Sequence, residues 1–496
     1  MDLRGGGSRQ ATTGVALTVL LCAGCAAGRA FRCPAQGGPV WRELASDNFV
    51  LRTDLPPARA GALLLRLERM RAAVASALFA GAPPPPGRVE VIAFRSAEEF
   101  RPFAPDGETG YYFRYAGGPP RIVLSGELRA WQRALLAHEL THHFLSGALL
   151  RRPAWFAEGL AVYMESLGED VPGKPVEVGA PPPGRIDRAR RSRLPVRDLL
   201  AWTGGKRPDV LDCYARSWLL VHWLVHRRPG ALEQLQRRLA EGDRPHDAWR
   251  TALPEYDPER GGAVEALDRV LDAYGRATFD RTRRRVEVPA TIAYREQVMP
   301  SPEVHAIRLA LWPHGPARPV ELLRAEVGEV LSEDPGHPVA LQHLAALEKR
   351  DGASLARRSV ASHPDDPRAW TFLAFALEGE AHAAEREASF RRAAALAPEN
   401  PAALNNLAQE LLARGRSGEA LPVARRAAQL APWSPPLLAG YAAVLSDLGQ
   451  CALAVPLQQR ALESLPERAA SEARKDLLAR LEVYEEQCKA AVDGGS

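Results

Sequence analysis

Five consecutive residues, His138-Glu139-Leu140-Thr141-His142, carry the strongest chemical signal in the chain. On a helix, side chains four positions apart share a face, so the two imidazoles can reach one ion while Glu139 points beside them. Zinc needs neutral nitrogen donors and an open position for water, and it lowers that water's pKa from about 15.7 to about 7, where a neighbouring carboxylate can take the proton. The pentad alone is only moderately specific. A chain with 12 histidines produces one by accident on the order of a few times per hundred, reckoned from residue frequencies, so its surroundings must decide.

Trp131, Leu135, His138 and His142 continue one helical stripe, which predicts that the histidines interrupt an inward-facing surface. Sixteen positions after His142 comes Glu158, within Pro153-Ala-Trp-Phe-Ala-Glu-Gly-Leu-Ala-Val-Tyr163. A carboxylate among apolar residues wants a cation, and Gly159 leaves room for a second helix to approach. The bland alternative is a helix with incidental histidines and a salt-bridged Glu158.

At this point the chain resembles the gluzincins, the thermolysin and aminopeptidase N superfamily, especially the minimal peptidase-MA-like domains, in which a His-Glu-x-x-His helix is followed by Trp-x-x-Glu-Gly-x-Ala. The resemblance covers about Trp41 to Ala273, with the diagnostic residues confined to 135–163. It implies an α+β zincin-like metallopeptidase domain holding one zinc through His138, His142 and Glu158, with Glu139 as general base. In such enzymes a Tyr or His from a later helix donates to the oxyanion. Tyr214 is the candidate, with ordinary packing as its alternative, and His222 with His226 is the competing pair. No carboxylate follows that pair in ligand spacing, so a second metal site is not expected. The strand Arg121 to Ser125 resembles the edge strand that aligns extended peptides in these enzymes.

Elements must bring these residues together. Asn48 to Thr53 and Arg88 to Phe94 read as strands, Pro57 to Leu78 as a helix, and Ser96 as the cap of a short helix with Glu98 and Glu99 in its first turn. Tyr111 to Tyr115 and Arg121 to Ser125 read as a hairpin across Gly117 and Gly118. The metal helix is expected from about Leu128 to Ser146, and the next begins at Pro153. Residues 168–208, rich in Pro, Gly and Arg, read as an exposed excursion before helices at Asp212 to His226 and Ala231 to Leu239.

The C-terminal third repeats itself. Pro364, Pro398, Pro432 and Pro466 are each 34 positions apart. Aligned on them are Trp370, Leu404 and Leu438, then Ala374, Ala408 and Ala442, with Ala393, Ala427 and Ala461 on the later helix of each pair. This period and pattern resemble the tetratricopeptide repeat, which implies an all-α solenoid with units at 367–400, 401–434 and 435–468 and a surface for protein partners. Arg386 and Gln458 depart from the usual small and aromatic residues. A shortened unit, Pro335 to Pro364, precedes them, and a polar helix from about Ala470 to Gln487 caps the stack.

The remaining expectations come from composition and the first residues. A net charge of +4 over 496 residues gives no reason to expect nucleic acid as a partner. Arg4 and Arg9 precede the apolar run Val15 to Cys22, a signal-peptide pattern far shorter than the roughly 20 residues a membrane span requires. Leu21-Cys22-Ala23-Gly24-Cys25 resembles a bacterial lipobox, departing from it at Cys22, and implies lipidation at Cys25 and a place in the cell envelope; simple secretion is the alternative. Cys33, Cys213, Cys451 and Cys488 remain, with Cys451 and Cys488 as the preferred pair. The expected organisation is 1–24 signal peptide, 25–40 linker, 41–285 metallopeptidase domain, 286–334 linker and helical lead-in, 335–468 repeats, and 469–496 capping helix and tail. The expected function is a zinc metallopeptidase acting on peptides or proteins and tethered to a membrane. The alternative is a non-catalytic envelope lipoprotein acting as an interaction scaffold.

Overall fold

The computed structural model describes residues 31–493 apart from 79–86, 105–109, 115–117, 127–129, 169–172, 183, 205–207, 277–278, 280–283, 315–318 and 466–470. The signal segment, Cys25 and Gly117 therefore lie outside the described residues.

The first elements follow the sequence pattern closely: β1 (Arg42–Ala45), β2 (Phe49–Thr53), α1 (Pro57–Leu78), β3 (Val89–Phe94), α2 (Ala97–Phe100), β4 (Gly110–Arg114), β5 (Pro120–Ser125), α3 (Ala130–Ala148) and α4 (Ala154–Met164). Ser96 caps α2, its hydroxyl accepting from the Glu99 N–H at 3.2 Å. Next come β6 (Val176–Val178), α5 (Arg185–Arg191), α6 (Val196–Leu200), α7 (Val210–Arg227), α8 (Pro229–Glu241), α9 (Pro245–Ala252), α10 (Ala263–Gly275), β7 (Arg284–Val286) and β8 (Arg295–Val298).

Six strands form one mixed sheet in the order β4-β5-β3-β2-β1-β8. β2, β3 and β5 run parallel, and β4, β1 and β8 are antiparallel to their neighbours. Both sheet faces are covered, which is why the parallel strands are apolar on both sides. Val91, Ala93, Ile122 and Leu124 join α1, α3, α4 and α7 in the main core. Ile92, Phe94 and Val123 face the other way, onto Trp41, Phe100 and Phe103.

Three features differ from the sequence reading. β5 is an inner strand, because the hairpin partner β4 occupies its free side and becomes the edge. Residues 168–208 are not an exposed excursion: Val176, Val178, Ala189, Leu194, Val196, Leu199 and Trp202 are buried in the main core, and β6 pairs with β7. Their apolar side chains are scattered between Pro and Arg, so no period betrays them. The stretch 286–334, read as linker and lead-in, supplies β8 to the sheet and α11 (Ser301–Leu311), whose Val304, Ile307 and Leu311 complete the second face.

From α11 onward the chain is a stack of helix pairs: α11 with α12 (Val320–Glu333), α13 (Pro338–Glu348) with α14 (Gly352–Ser362), α15 (Pro367–Ala376) with α16 (Ala383–Leu396), α17 (Pro401–Ala413) with α18 (Ser417–Leu430), α19 (Pro435–Asp447) with α20 (Cys451–Glu463), then α21 (Ser471–Asp493). Pro367, Pro401 and Pro435 open the first helix of the three full units, where a missing N–H costs nothing. Ala374, Ala408 and Ala442 are fully buried and let paired helices approach. The two departures have partners: Arg386 Nε donates to Glu410 at 2.9 Å, and buried Gln458 donates from Nε2 to the Leu477 carbonyl of α21 at 2.8 Å. A disulfide joins Cys451 to Cys488, stapling α20 to α21, while Cys33 and Cys213 are buried and outside any disulfide among the described residues. No helix among the described residues is long and apolar enough to cross a membrane.

Candidate metal centre

The inward face of α3 is Leu136, Leu140 and Phe144, all in the main core. Leu135, His138 and His142 form a neighbouring stripe that is only half-buried, so the histidines lie beside the core face instead of interrupting it as the stripe predicts. The Trp131 side chain lies outside the described residues. Glu158 reaches the same place from α4. Gly159 lets a partner in, but that partner is α7, not α3: a β-carbon at residue 159 would lie 2.6 Å from the Ser217 carbonyl oxygen and from Val221.

The convergence is tight. His138 Nε2 and His142 Nε2 are 3.1 Å apart, and Glu158 Oε2 lies 3.3 Å from the first and 3.4 Å from the second. Ligands about 2.0–2.1 Å from a tetrahedral zinc are separated by roughly 3.3–3.4 Å, the edge of that tetrahedron. Among the described residues these three form the one cluster of His, Cys, Asp and Glu able to hold a metal ion. Glu158 Oε2 is buried, yet no N–H is aligned to donate to it, although both imidazoles are close enough to act on it electrostatically. Burial opposes its charge, but His138 and His142 outweigh this and hold its pKa at about 2. Burial likewise opposes charge on His138, and the contacts to Glu158 and Glu165 outweigh it and push its pKa to about 10. Glu158 Oε2 thus faces both imidazole nitrogens while accepting no aligned hydrogen bond, and the donor set fits zinc.

Glu165 and Arg185 were not singled out from the sequence. His138 Nδ1 donates to Glu165 Oε1 at 3.0 Å, and Arg185 Nη2 donates to the same oxygen at 3.2 Å. A carboxylate on Nδ1 fixes the tautomer that presents Nε2 to a metal. The available signal was spacing: Glu165 follows Glu158 by seven positions, two turns along one helix face.

Tyr214, near the start of α7, stands beside this cluster. The Arg185 guanidinium lies 5.6 Å from its ring centroid, and Trp202 packs edge-on at 5.6 Å. Burial and the carboxylates of Glu158, Glu139 and Glu165 push its pKa to about 12, against the opposing Arg185, so the phenol keeps a proton to donate. The competing histidines are committed elsewhere. His222 contacts the Tyr274 hydroxyl through Nδ1 at 2.7 Å and donates to the Gly179 carbonyl through Nε2 at 3.0 Å; His226 Nε2 contacts the Tyr163 hydroxyl at 3.1 Å. Burial, then His226 and Arg227, lower His222 to about 3, and burial, then Arg284 and Arg227, lower His226 to about 4.

No family model matches the chain, and no curated protein matches it. Among solved structures, the chain is similar to TTC0263, a tetratricopeptide-repeat protein of Thermus thermophilus, at 17% identity over 37% of this chain and 96% of that one, with a TM-score of 0.28. It is similar to MamA at 18% identity over 28% and 79% with a TM-score of 0.24, and to human IFIT1, solved as a dimer with PPP-AAAA, at 16% over 62% and 70% with a TM-score of 0.29. Scores this low carry no argument, and the solenoid rests on its own helix pairs and 34-residue spacing.

Proposed function

We propose that the α/β domain is a zinc-dependent peptide hydrolase and that the solenoid recruits protein partners or substrates to it. One observation carries this reading: two imidazole nitrogens and a carboxylate oxygen with no aligned donor lie 3.1, 3.3 and 3.4 Å from one another, spacings close to those between the ligands of a tetrahedral zinc.

Zinc held by His138, His142 and Glu158 would supply a Lewis acid for the peptide carbonyl and a water acidic enough to ionise near neutral pH. The chain's own groups do the rest. Glu139, beside His138 on the same half-buried stretch of α3, takes the proton of the attacking water and hands it to the leaving amine. Tyr214, with its proton retained, donates to the carbonyl oxygen as charge develops there. Glu165 holds the His138 ring, and the edge strand β4 offers an extended peptide a hydrogen-bonding partner. Lipidation at Cys25 would tether the enzyme in the cell envelope, a setting in keeping with the Cys451–Cys488 disulfide.

A second reading is favoured by the solenoid itself, whose helix pairs make up the chain from α11 onward and need no metal to bind a partner: a tethered scaffold for protein interaction, its metal site vestigial. Metal analysis of the purified chain together with the Glu139→Gln variant separates the two. The enzyme reading expects one zinc per chain in both proteins, and cleavage of a proteome-derived peptide digest by wild type that falls by at least about 100-fold in the variant. Stoichiometric zinc with no cleavage by wild type leaves the scaffold; no zinc removes the hydrolase.

A further inference from the structure

The far end of the solenoid returns to the metal helix. Trp433, in the turn between α18 and α19, is 7% exposed and packs edge-on against His143 with ring centroids 5.6 Å apart. His143 is itself buried, immediately after His142 and about 100° further round α3. Beyond it, at the α3–α4 corner, Arg151 Nη1 pairs with Glu463 and Arg152 Nη2 donates to Ser464 at 3.1 Å. These partners are 312 positions apart in sequence.

The repeat pattern singles out the same residue. At the 34-residue spacing, the positions equivalent to Trp433 are Asp365, Glu399 and Glu467. Asp365 and Glu399 are solvated, at 87% and 72% side-chain exposure. A turn position that is acidic in the other units is a buried tryptophan only in the unit that meets α3. An aromatic anchor ringed by polar contacts is how specific interfaces are built.

Resting on the metal-site reading above, we propose that this contact is a latch through which the solenoid steadies the α3–α4 corner, so that bending the repeats loosens the metal triad. Residues 149–153 connect the helix bearing His138 and His142 to the helix bearing Glu158, and they set the distance between those ligands. On one side the corner is held by α8, through Arg151 N–H to the Leu239 carbonyl at 3.1 Å. On its other side it is held by the latch. Units of a solenoid touch only their neighbours, so small changes in curvature add up along the helix pairs and are largest at the end that carries Trp433 and Glu463. Exposed ion pairs contribute little alone, which leaves the latch able to open without unfolding either part.

Hydrogen–deuterium exchange on the full chain, with zinc affinity measured alongside, tests this. Arg151→Glu should speed exchange across 138–153 by about tenfold and weaken zinc binding severalfold; the charge exchange Arg151→Glu with Glu463→Arg should restore part of both, the Arg151 Nε bond to the Gly242 carbonyl at 3.3 Å being lost in either variant. Trp433→Ala should reproduce the first pattern while protection within α15–α18 stays unchanged. Unchanged exchange at 138–153 in Arg151→Glu and Trp433→Ala overturns the latch, as does a double variant that fails to recover. Faster exchange confined to 149–153, with 138–142 as protected as before and zinc binding unaltered, overturns its link to the triad. A wild-type chain that binds no zinc refutes the metal reading instead, and the exchange at 138–142 then still decides whether the latch steadies α3.

Discussion

Replacing Glu165 is the sharpest test of whether the site is built to hold a metal. Its carboxylate receives the His138 Nδ1 proton at 3.0 Å and is itself held by Arg185 at 3.2 Å. Glutamine keeps an acceptor oxygen of the same reach but removes the charge, halving a charge-assisted bond. Alanine removes the acceptor, frees the ring to turn, and leaves Arg185 unpaired beside Tyr214. Losses of such supporting partners cost about 10- to 100-fold in metal affinity, or roughly 1.4–2.7 kcal/mol. Glu165→Gln should fall near the lower figure and Glu165→Ala near the upper, measured by competition with a chelator of known zinc affinity. The cobalt-substituted protein should show altered visible bands in the alanine variant. Zinc affinity unchanged in both folded variants would mean that His138 needs no orientation, and the ordered-ligand argument would fail.

Three further outcomes follow from the packing. A methyl group at Gly159 would meet the Ser217 carbonyl and Val221 at 2.6 Å, so Gly159→Ala should cost about 1–3 kcal/mol in denaturant unfolding despite a helix-propensity gain of up to about 1 kcal/mol; a stabilised variant would show that α4 and α7 are not in such close contact. The Cys451–Cys488 link closes a 37-residue separation, for which chain entropy gives about 4 kcal/mol; Cys451→Ser with Cys488→Ser should lose exchange protection first in α21, and equal loss throughout the solenoid would refute a local staple. Burial, then the carboxyl of Glu99, raises the pKa of Asp54 from 3.8 to about 7, so the native state holds the extra proton and stability should fall as pH rises from about 4 through about 7. Asp54→Asn, which keeps an acceptor for the Arg95 N–H, should flatten that profile and gain about 1 kcal/mol or more at pH 8; an unchanged slope would locate the titration elsewhere.

The residues that periodicity or a motif marks were legible in the sequence. α1 begins and ends where its apolar spacing does, the hairpin of β4 and β5 falls where the β-branched and aromatic runs do, and the 34-residue proline spacing marks the solenoid units before any coordinate is known. What stayed hidden depends on long-range partners. Nothing local says that β8, after a mixed stretch, will pair with β1 at the far end of the domain's sequence, or that residues 168–208 bury Val176, Leu194, Trp202 and their neighbours at intervals without a period. Strand pairing at that distance is decided by what is left uncovered once nearer elements have packed.

The same reasoning explains why the site was half legible. His138, Glu139, His142 and Glu158 belong to two adjacent helices, so a local pattern could name them, and spacing on one helix could also have named Glu165. Arg185 could not be found this way, because its part depends on a segment that looks solvated and instead folds into the core, carrying a guanidinium to within hydrogen-bonding distance of Glu165 and over the ring of Tyr214. Tyr214, the candidate by sequence, and the competing pair His222 and His226 lie on one helix. They separate only because Gly179 and Tyr274 claim both nitrogens of His222, and Tyr163 claims His226. A polar group whose atoms are engaged elsewhere has no hydrogen bond left to give; that accounting removes His222 at both nitrogens and His226 at Nε2, and it favours Tyr214 as the donor that the proposed mechanism needs.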